Sequence, residues 1–183
     1  MTEDTKDVRA FQAGDQSAFE RLVLRYKNNL IYFINRYVKD LYEAEDLAQD
    51  TFVELLLHKE RIRPEMNFKT YLFAIGRNKA VDHCRRYGRI SPEEWIGQPD
   101  PDWEEWLGKK LIREEEKQLV HSALGKLKED YRVILTLADL EELPYKEIAA
   151  ILHKSMPQVK VGVHRARKKL AEILQREGYT YEK

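Results

Sequence analysis

Three sets of side chains in this 183-residue chain could do chemistry, and all three suit binding rather than bond-making. The first is acidic. Glu43, Asp46, Asp50 and Glu54 fall at i, i+3, i+7 and i+11, which places them along one side of a helix. Such a row of like charges weakens its own helix by roughly 0.2–0.5 kcal/mol per close pair. It is either a solvated face or a docking surface for a basic protein. The second set is basic. From Arg77 to Arg89 there are five bases against one acid. Asn78, Asp82, Arg85 and Arg89 lie along one side, with Lys79, His83 and Arg86 beside them. Phe68 and Tyr71 stand just upstream. Aromatic rings next to cations suit a strand whose bases are stacked or flipped, because every base offers a π-face; the other reading of both rings is core. The third set is Lys160, Arg165, Arg167, Lys168 and Lys169, five positive charges with no acid among them.

Catalytic constellations are missing from the same inventory. His58, His83, His121, His153 and His164 show no metal-ligand spacing, and Cys84 has no CxxC partner. There is no phosphate-binding Gly-rich loop. The expectation is a protein that is not an enzyme and needs no metal or cofactor.

The elements that must position these groups are helices. Strand signals are nearly absent, with no Asn-Gly or Asp-Gly turn and no sustained period-two run. The clearest unit is Leu143 to Leu174. A first helix begins at Pro144, suited to the first helical position, and Ile148, Ile151 and Leu152 form its apolar face. His153 and Lys154 break the pattern. Ser155 then caps a second helix, with Gln158 placed to complete a capping box and Pro157 tolerated in the first turn. Val159, Val163, Ala166, Leu170 and Ile173 follow a 4-3-4-3 step toward the core. The third basic set therefore faces out. Helix, short turn and basic helix is the helix-turn-helix arrangement, whose second helix enters the DNA major groove.

Upstream, Met1 to Lys6 read as frayed and Asp7 to Ala13 as a short helix ending at Gly14. Asp15 or Ser17 caps a long amphipathic helix through Phe19, Leu22, Tyr26, Leu30, Phe33 and Ile34, ending near Val38. The acidic helix starts near Leu41, with Leu41, Ala44, Ala48, Phe52 and Leu55 toward the core. Arg61 to Asn67 is a loop, and Phe68 to Arg86 a further helix. Tyr131 to Leu140 forms another before the helix-turn-helix. Between the two helical regions, residues 91 to 120 hold nine acids and four bases and are punctuated by Pro and Gly. Trp95, Trp103 and Trp106 all fall there, and packing is expected of the last two. The predicted fold is all-α, with two small helical domains, 1–90 and 111–183, joined by an acidic linker at 91–110.

Composition supports a soluble globular chain, 43% hydrophobic and 35% charged. Net charge is zero, which is unexpected for a protein that merely coats nucleic acid. A lone cysteine fits a reducing compartment. Neither a signal peptide nor a run long enough to span a bilayer is apparent, so the expected location is the cytoplasm.

Several blocks, in order, match one family. Ala44-Glu45-Asp46-Leu47-Ala48-Gln49-Asp50-Thr51-Phe52 resembles the "AEDLxQETF" polymerase-docking helix of extracytoplasmic-function (group IV) sigma factors. Phe68-Lys69-Thr70-Tyr71-Leu72-Phe73-Ala74-Ile75-Gly76-Arg77-Asn78-Lys79-Ala80-Val81-Asp82-His83-Cys84-Arg85-Arg86 is similar to that family's "FxTWLxxIARNxxxDxxRR" block, which reads and opens the −10 element. Ala123-Leu124 through Tyr131-Arg132, then Glu147-Ile148-Ala149 and His164-Arg165-Ala166-Arg167-Lys168-Lys169-Leu170, resemble the domain that reads the −35 element. The resemblance implies a factor that binds bacterial core RNA polymerase and directs promoter-specific initiation in a stress or envelope response. Its polymerase-binding residues would be Glu43, Glu45, Asp46, Gln49, Asp50 and Glu54. The −10 element would meet Phe68, Lys69, Tyr71, Arg77, Asn78, Lys79, Asp82, Arg85 and Arg86. The −35 element would meet Gln158, Lys160, Val161, His164, Arg165, Arg167 and Lys168. It also implies an anti-sigma partner, often membrane-bound. The alternative is a stand-alone helix-turn-helix regulator of duplex DNA.

The chain departs from the family pattern at Tyr71, usually Trp, and at Lys128, often Pro. In the recognition helix Val161 replaces a small hydroxyl residue and Gly162 an Arg. Gln158 can pair with adenine and Val161 can meet a thymine methyl. The expectation is a helix that docks at a −35 element but reads it differently from the family majority.

Overall fold

The computed structural model describes residues 1–88 and 114–178. The segment 91–110, with Trp95, Trp103 and Trp106, lies outside the described residues, and so do the expected boundaries of the linker. Every regular element among the described residues is helical. Two compact units are present.

The first unit contains α1 (Glu3–Gln12), α2 (Gln16–Val38), α3 (Leu41–Leu57), a short 3₁₀ turn (Lys59–Arg61) and α4 (Phe68–Tyr87). α2 is its spine and packs on α1, α3 and α4. Leu22, Leu30, Phe33 and Ile34 of α2 are fully buried, as are Ala44 and Ala48 of α3 and Leu72, Phe73 and Ala80 of α4. The rings of Phe33 and Phe73 lie 5.0 Å apart. Each of the buried leucine, isoleucine and phenylalanine side chains contributes roughly 1.5–3 kcal/mol. Gly76 lets α4 come close to α2: a Cβ there would stand 2.7 Å from Leu30 Cδ1. Side-chain caps open the helices, Asp15 for α2, Asp40 for α3 and Asn67 for α4.

The N-terminus departs from the expectation. Residues before Asp7 are not frayed, because α1 begins at Glu3 with Thr2 as its cap. Tertiary ion pairs account for the difference. Asp7 is buried and accepts from Arg21 Nε at 2.9 Å and from an Arg25 terminal nitrogen at 3.0 Å. Asp4 accepts from Arg25 and from the Tyr26 hydroxyl. A buried carboxylate and a half-buried one, each with a charged donor, hold a helix that its own sequence would leave weak.

The second unit contains α5 (Glu114–Gly125), α6 (Glu129–Leu135), a π-helical turn (Thr136–Leu140), α7 (Tyr145–Leu152) and α8 (Met156–Arg176). α8 packs on α5 and α6. Val133, Ile134, Leu137, Val159, Val163 and Ala166 build the core around it. Arg132 is buried and donates to Gly125 O at 3.1 Å, fastening α6 to the end of α5; burial pulls its guanidinium below its ordinary pKa.

The expected helix Tyr131–Leu140 starts two residues earlier and does not run through as an α-helix. At Thr136 it widens: Thr136 Oγ1 donates to Arg132 O at 2.8 Å, and the Glu141 N–H reaches back five residues to Thr136 O at 2.8 Å. α7 begins at Tyr145 rather than Pro144, whose carbonyl accepts from the Glu147 and Ile148 N–H groups. It ends where His153 turns left-handed (φ +52°) and the Lys154 N–H bonds to Ala149 O, a Schellman closure.

Candidate nucleic-acid and protein interfaces

The acidic helix comes first in the chain. With Ala44, Ala48, Phe52 and Leu55 buried, α3 exposes Glu43, Asp46, Gln49 and Asp50, and half-exposes Glu45 and Glu54. The stripe does not simply face solvent. Asp40, Glu43, Asp46 and Asp50 form one wall of a cleft of about 710 Å³, and Lys79, Asp82, His83 and Arg86 of α4 form the other. Two contacts join α3 to α4 here. Lys79 Nζ lies 2.8 Å from a Glu54 oxygen, and His83 Nδ1 lies 3.9 Å from Glu43. The His83 ring also rests on Tyr87, 4.8 Å between centroids. Acids and bases that are separate stripes in the sequence are thus the two sides of one feature.

Sequence reasoning missed the apolar part of this helix. Tyr42, Val53, Leu56 and Leu57 are all exposed, and they extend the α3 surface beyond its acids. A helix whose apolar residues exceed what its core stripe needs is the signal that would have found them.

On α4 the expected strand-binding residues divide. Tyr71, Asn78 and Arg85 are seven apart and therefore share a face; Asn78 and Arg85 are exposed and Tyr71 is half-exposed. Arg85 lies 3.7 Å from Asp82. Lys69 is half-exposed, while Arg86 and Asp82 look into the cleft. Arg77 is half-buried, with its Nε buried and without a hydrogen-bond partner. Phe68 departs from the expectation. It is 2% exposed, with its ring 5.7 Å from that of Tyr26, so it is a core residue and presents no face to a base.

In the second unit, the capping box at the start of α8 is complete. Ser155 Oγ accepts from the Gln158 N–H at 3.4 Å, and Gln158 Oε1 accepts from the Ser155 N–H at 2.8 Å. A bidentate contact to adenine uses the amide oxygen and nitrogen together, and here the oxygen is engaged at the helix end. Lys160, Val161, His164, Arg165 and Lys168 are exposed along one face, opposite buried Val159, Val163 and Ala166. Gly162 belongs to neither face. A Cβ at that position would lie 2.7 Å from Ile134 Cδ1, so the glycine seats α8 on α6. Lys169 pairs with Glu172 of its own helix at 3.1 Å, whereas the partner of Arg167 lies on another element. Arg167 Nε donates to Asp139 Oδ2 at 3.2 Å, and one of its terminal nitrogens donates to Oδ1 of the same carboxylate.

Comparison with known proteins agrees with this geometry. The Sigma-70 region 2 family matches residues 22–90, and the Sigma-70 region 4 family matches residues 117–170. The chain is 31% identical over 182 residues to the RNA polymerase sigma-H factor of Pseudomonas aeruginosa, with 94% of each protein covered. It is 29% identical over 187 residues to the ECF RNA polymerase sigma-E factor of Escherichia coli K12, covering 96% of this chain and 97% of that one. Among solved structures it is similar to CnrH in complex with the cytosolic domain of CnrY. The TM-score there is 0.69 at 26% identity, over 97% of this chain and 100% of that one. It is also similar to the sigma factor RpoE in complex with the anti-sigma factor NepR from Bartonella quintana. That comparison gives a TM-score of 0.66 at 25% identity, over 86% and 96% of the two chains. The chain belongs to the sigma-70 family and is an RNA polymerase sigma factor of the ECF type. The helix-turn-helix is accordingly that of a sigma factor and not of a stand-alone regulator.

Proposed function

We propose a division of labour among these faces. The exposed acids Glu43, Asp46 and Asp50, with the half-exposed Glu45 and with Gln49, dock on a basic surface of core polymerase. The observation that carries this is the cleft wall itself: Glu43, Asp46 and Asp50 are held in one row by a helix whose opposite side, with Ala44, Ala48, Phe52 and Leu55, is committed to the core. A pre-aligned acidic row meets a basic partner with little rearrangement, which favours rate and register of docking. Glu54, half-exposed and paired with Lys79, serves the rim of that surface.

Tyr71 and Asn78 meet an unpaired base of the −10 element, the ring by stacking and the amide by hydrogen bonds to a base edge. Lys69, Arg77, Lys79, Arg85 and Arg86 hold the strand's phosphates, and Asp82 orients Arg85. The α8 face inserts at the −35 element. Lys160, His164, Arg165 and Lys168 supply phosphate and base-edge contacts, and Val161 meets a thymine methyl. The chain carries out no bond-making itself; the polymerase does. Among the described residues no helix is long and apolar enough to cross a membrane, and the reading places the protein in the cytoplasm. An anti-sigma protein is the expected antagonist, by likeness to the factor solved with NepR. The factor would serve a stress or envelope response.

Affinity for bacterial core polymerase tests the docking face. Asp46→Lys with Asp50→Lys should abolish binding while the melting temperature stays within a few degrees of the parent. Unchanged affinity would remove the acidic row from the interface.

A further inference from the structure

The cations of α8 are not equivalent. On a helix of 100° per residue, Val161, His164, Arg165 and Lys168 cluster, whereas Arg167 lies at the rim in the same row as Lys160, seven residues earlier. Its guanidinium is gripped through two nitrogens by the Asp139 carboxylate, a fork geometry that fixes direction as well as distance. Asp139 holds Arg167 above its ordinary pKa, and Tyr145, the first residue of α7, adds a smaller share.

The carboxylate is itself held in place. Asp139 sits in the π-helical turn, whose wide bond from the Glu141 N–H to Thr136 O is secured by the buried Thr136 and Leu137. The turn therefore carries an exposed acid on a fixed mount. A second contact lies one step back along both segments, where Gly162 admits Ile134. The paired positions, Ile134 with Gly162 and Asp139 with Arg167, advance by the same five residues. One is apolar and sets how closely α8 approaches. The other is ionic and links the rim of α8 to the π-helical turn.

We infer that Arg167 is a positioning residue and not a DNA contact: with Asp139 it forms a brace that orients the Lys160–Lys168 face for base readout. This rests on the reading of α8 as the helix that enters DNA. The brace and a phosphate contact predict opposite signs for one substitution. If Arg167 bound phosphate, neutralising Asp139 would release the guanidinium and remove a repulsive acid, and binding would tighten. If the pair is a brace, neutralising Asp139 lets α8 roll, and selective binding weakens.

The test uses the full chain bound to bacterial core polymerase. Promoter fragments are first selected by the parent holoenzyme from a library of random duplex sequence. Affinity is then measured for Asp139→Asn, Arg167→Gln and Arg167→Lys across a salt series. The brace predicts that Asp139→Asn and Arg167→Gln each weaken the selected fragment by about fivefold, with less loss on unselected DNA. The double variant should be no worse than either alone. Arg167→Lys, which keeps the charge and loses the fork, should be as weak as Arg167→Gln. The slope of log affinity against log salt should stay that of the parent. Tighter or unchanged binding by Asp139→Asn, full function in Arg167→Lys, or a slope reduced by about 0.9 in Arg167→Gln would each overturn the brace. A parent holoenzyme that selects no fragment would overturn the reading of α8 and the brace with it.

Discussion

Lys79 of α4 meets Glu54 of α3 at 2.8 Å, which makes partners of one residue expected at DNA and one expected at polymerase. Both side chains are partly exposed, 27% and 41%, so solvent screens the pair and its contribution to stability is small. Lys79→Met and Glu54→Gln should each lower the unfolding free energy by about 0.5 kcal/mol. The double variant should cost little more than one of them, since both remove the same interaction. Urea denaturation of the four proteins measures this coupling; strictly additive losses would show that the two charges act independently.

Gly76 is a packing residue. Valine there would place its Cβ 2.7 Å from Leu30 Cδ1 and 3.4 Å from Ile34 Cδ1, so the fully buried Leu30 must shift. Gly76→Val should destabilise the first unit by about 2 kcal/mol, despite valine's better helix propensity. The denaturation midpoint reads it directly, and an unchanged midpoint would mean that α2 and α4 can move apart at no cost.

The capping box makes separable claims about two residues. Ser155→Ala removes the acceptor for the Gln158 N–H and should cost about 1 kcal/mol. Gln158→Glu retains an acceptor for the Ser155 N–H and should leave stability within about 0.3 kcal/mol of the parent. It should also leave the preferred promoter sequence unchanged. A switch from adenine to cytosine preference at one position would instead make Gln158 a reading residue, because a carboxylate accepts from the cytosine amino group.

His153 occupies the left-handed C′ position where glycine is favoured. It is exposed, so little is lost with its side chain. His153→Gly should raise stability by about 0.5–1 kcal/mol through relief of the backbone conformation. Thermal melting checks the sign, and a lower melting temperature would place the imidazole in a stabilising contact.

Residues that act through their near neighbours were legible in the sequence. The Ser155–Gln158 box spans one helical turn, and the buried row Val159, Val163, Ala166 and Ile173 follows from the helical period alone. The all-α character, the helix-turn-helix and the acidic row of α3 were legible for the same reason. Residues whose partners lie on another helix were not. Nothing near Asp139 announces Arg167, 28 positions later. Met1 to Lys6 read as frayed because Arg21 and Arg25, which hold Asp4 and Asp7, belong to the next helix. Phe68 was ambiguous: an aromatic ring beside lysines fits a base platform and a core equally, and only its burial against Tyr26 decides. The π turn at Thr136 has no composition of its own: Thr51 makes the same hydroxyl bond to the preceding turn inside a regular α3.

Run-off transcription shows whether this chain gives core polymerase its promoters. The purified chain would be mixed with bacterial core polymerase and fragmented DNA from its source genome, and transcript starts would be mapped. Discrete new starts that share two upstream boxes are expected, and they should be lost when Asp46 and Asp50 are both changed to lysine. No starts, together with tight duplex binding by the chain alone, would contradict that expectation.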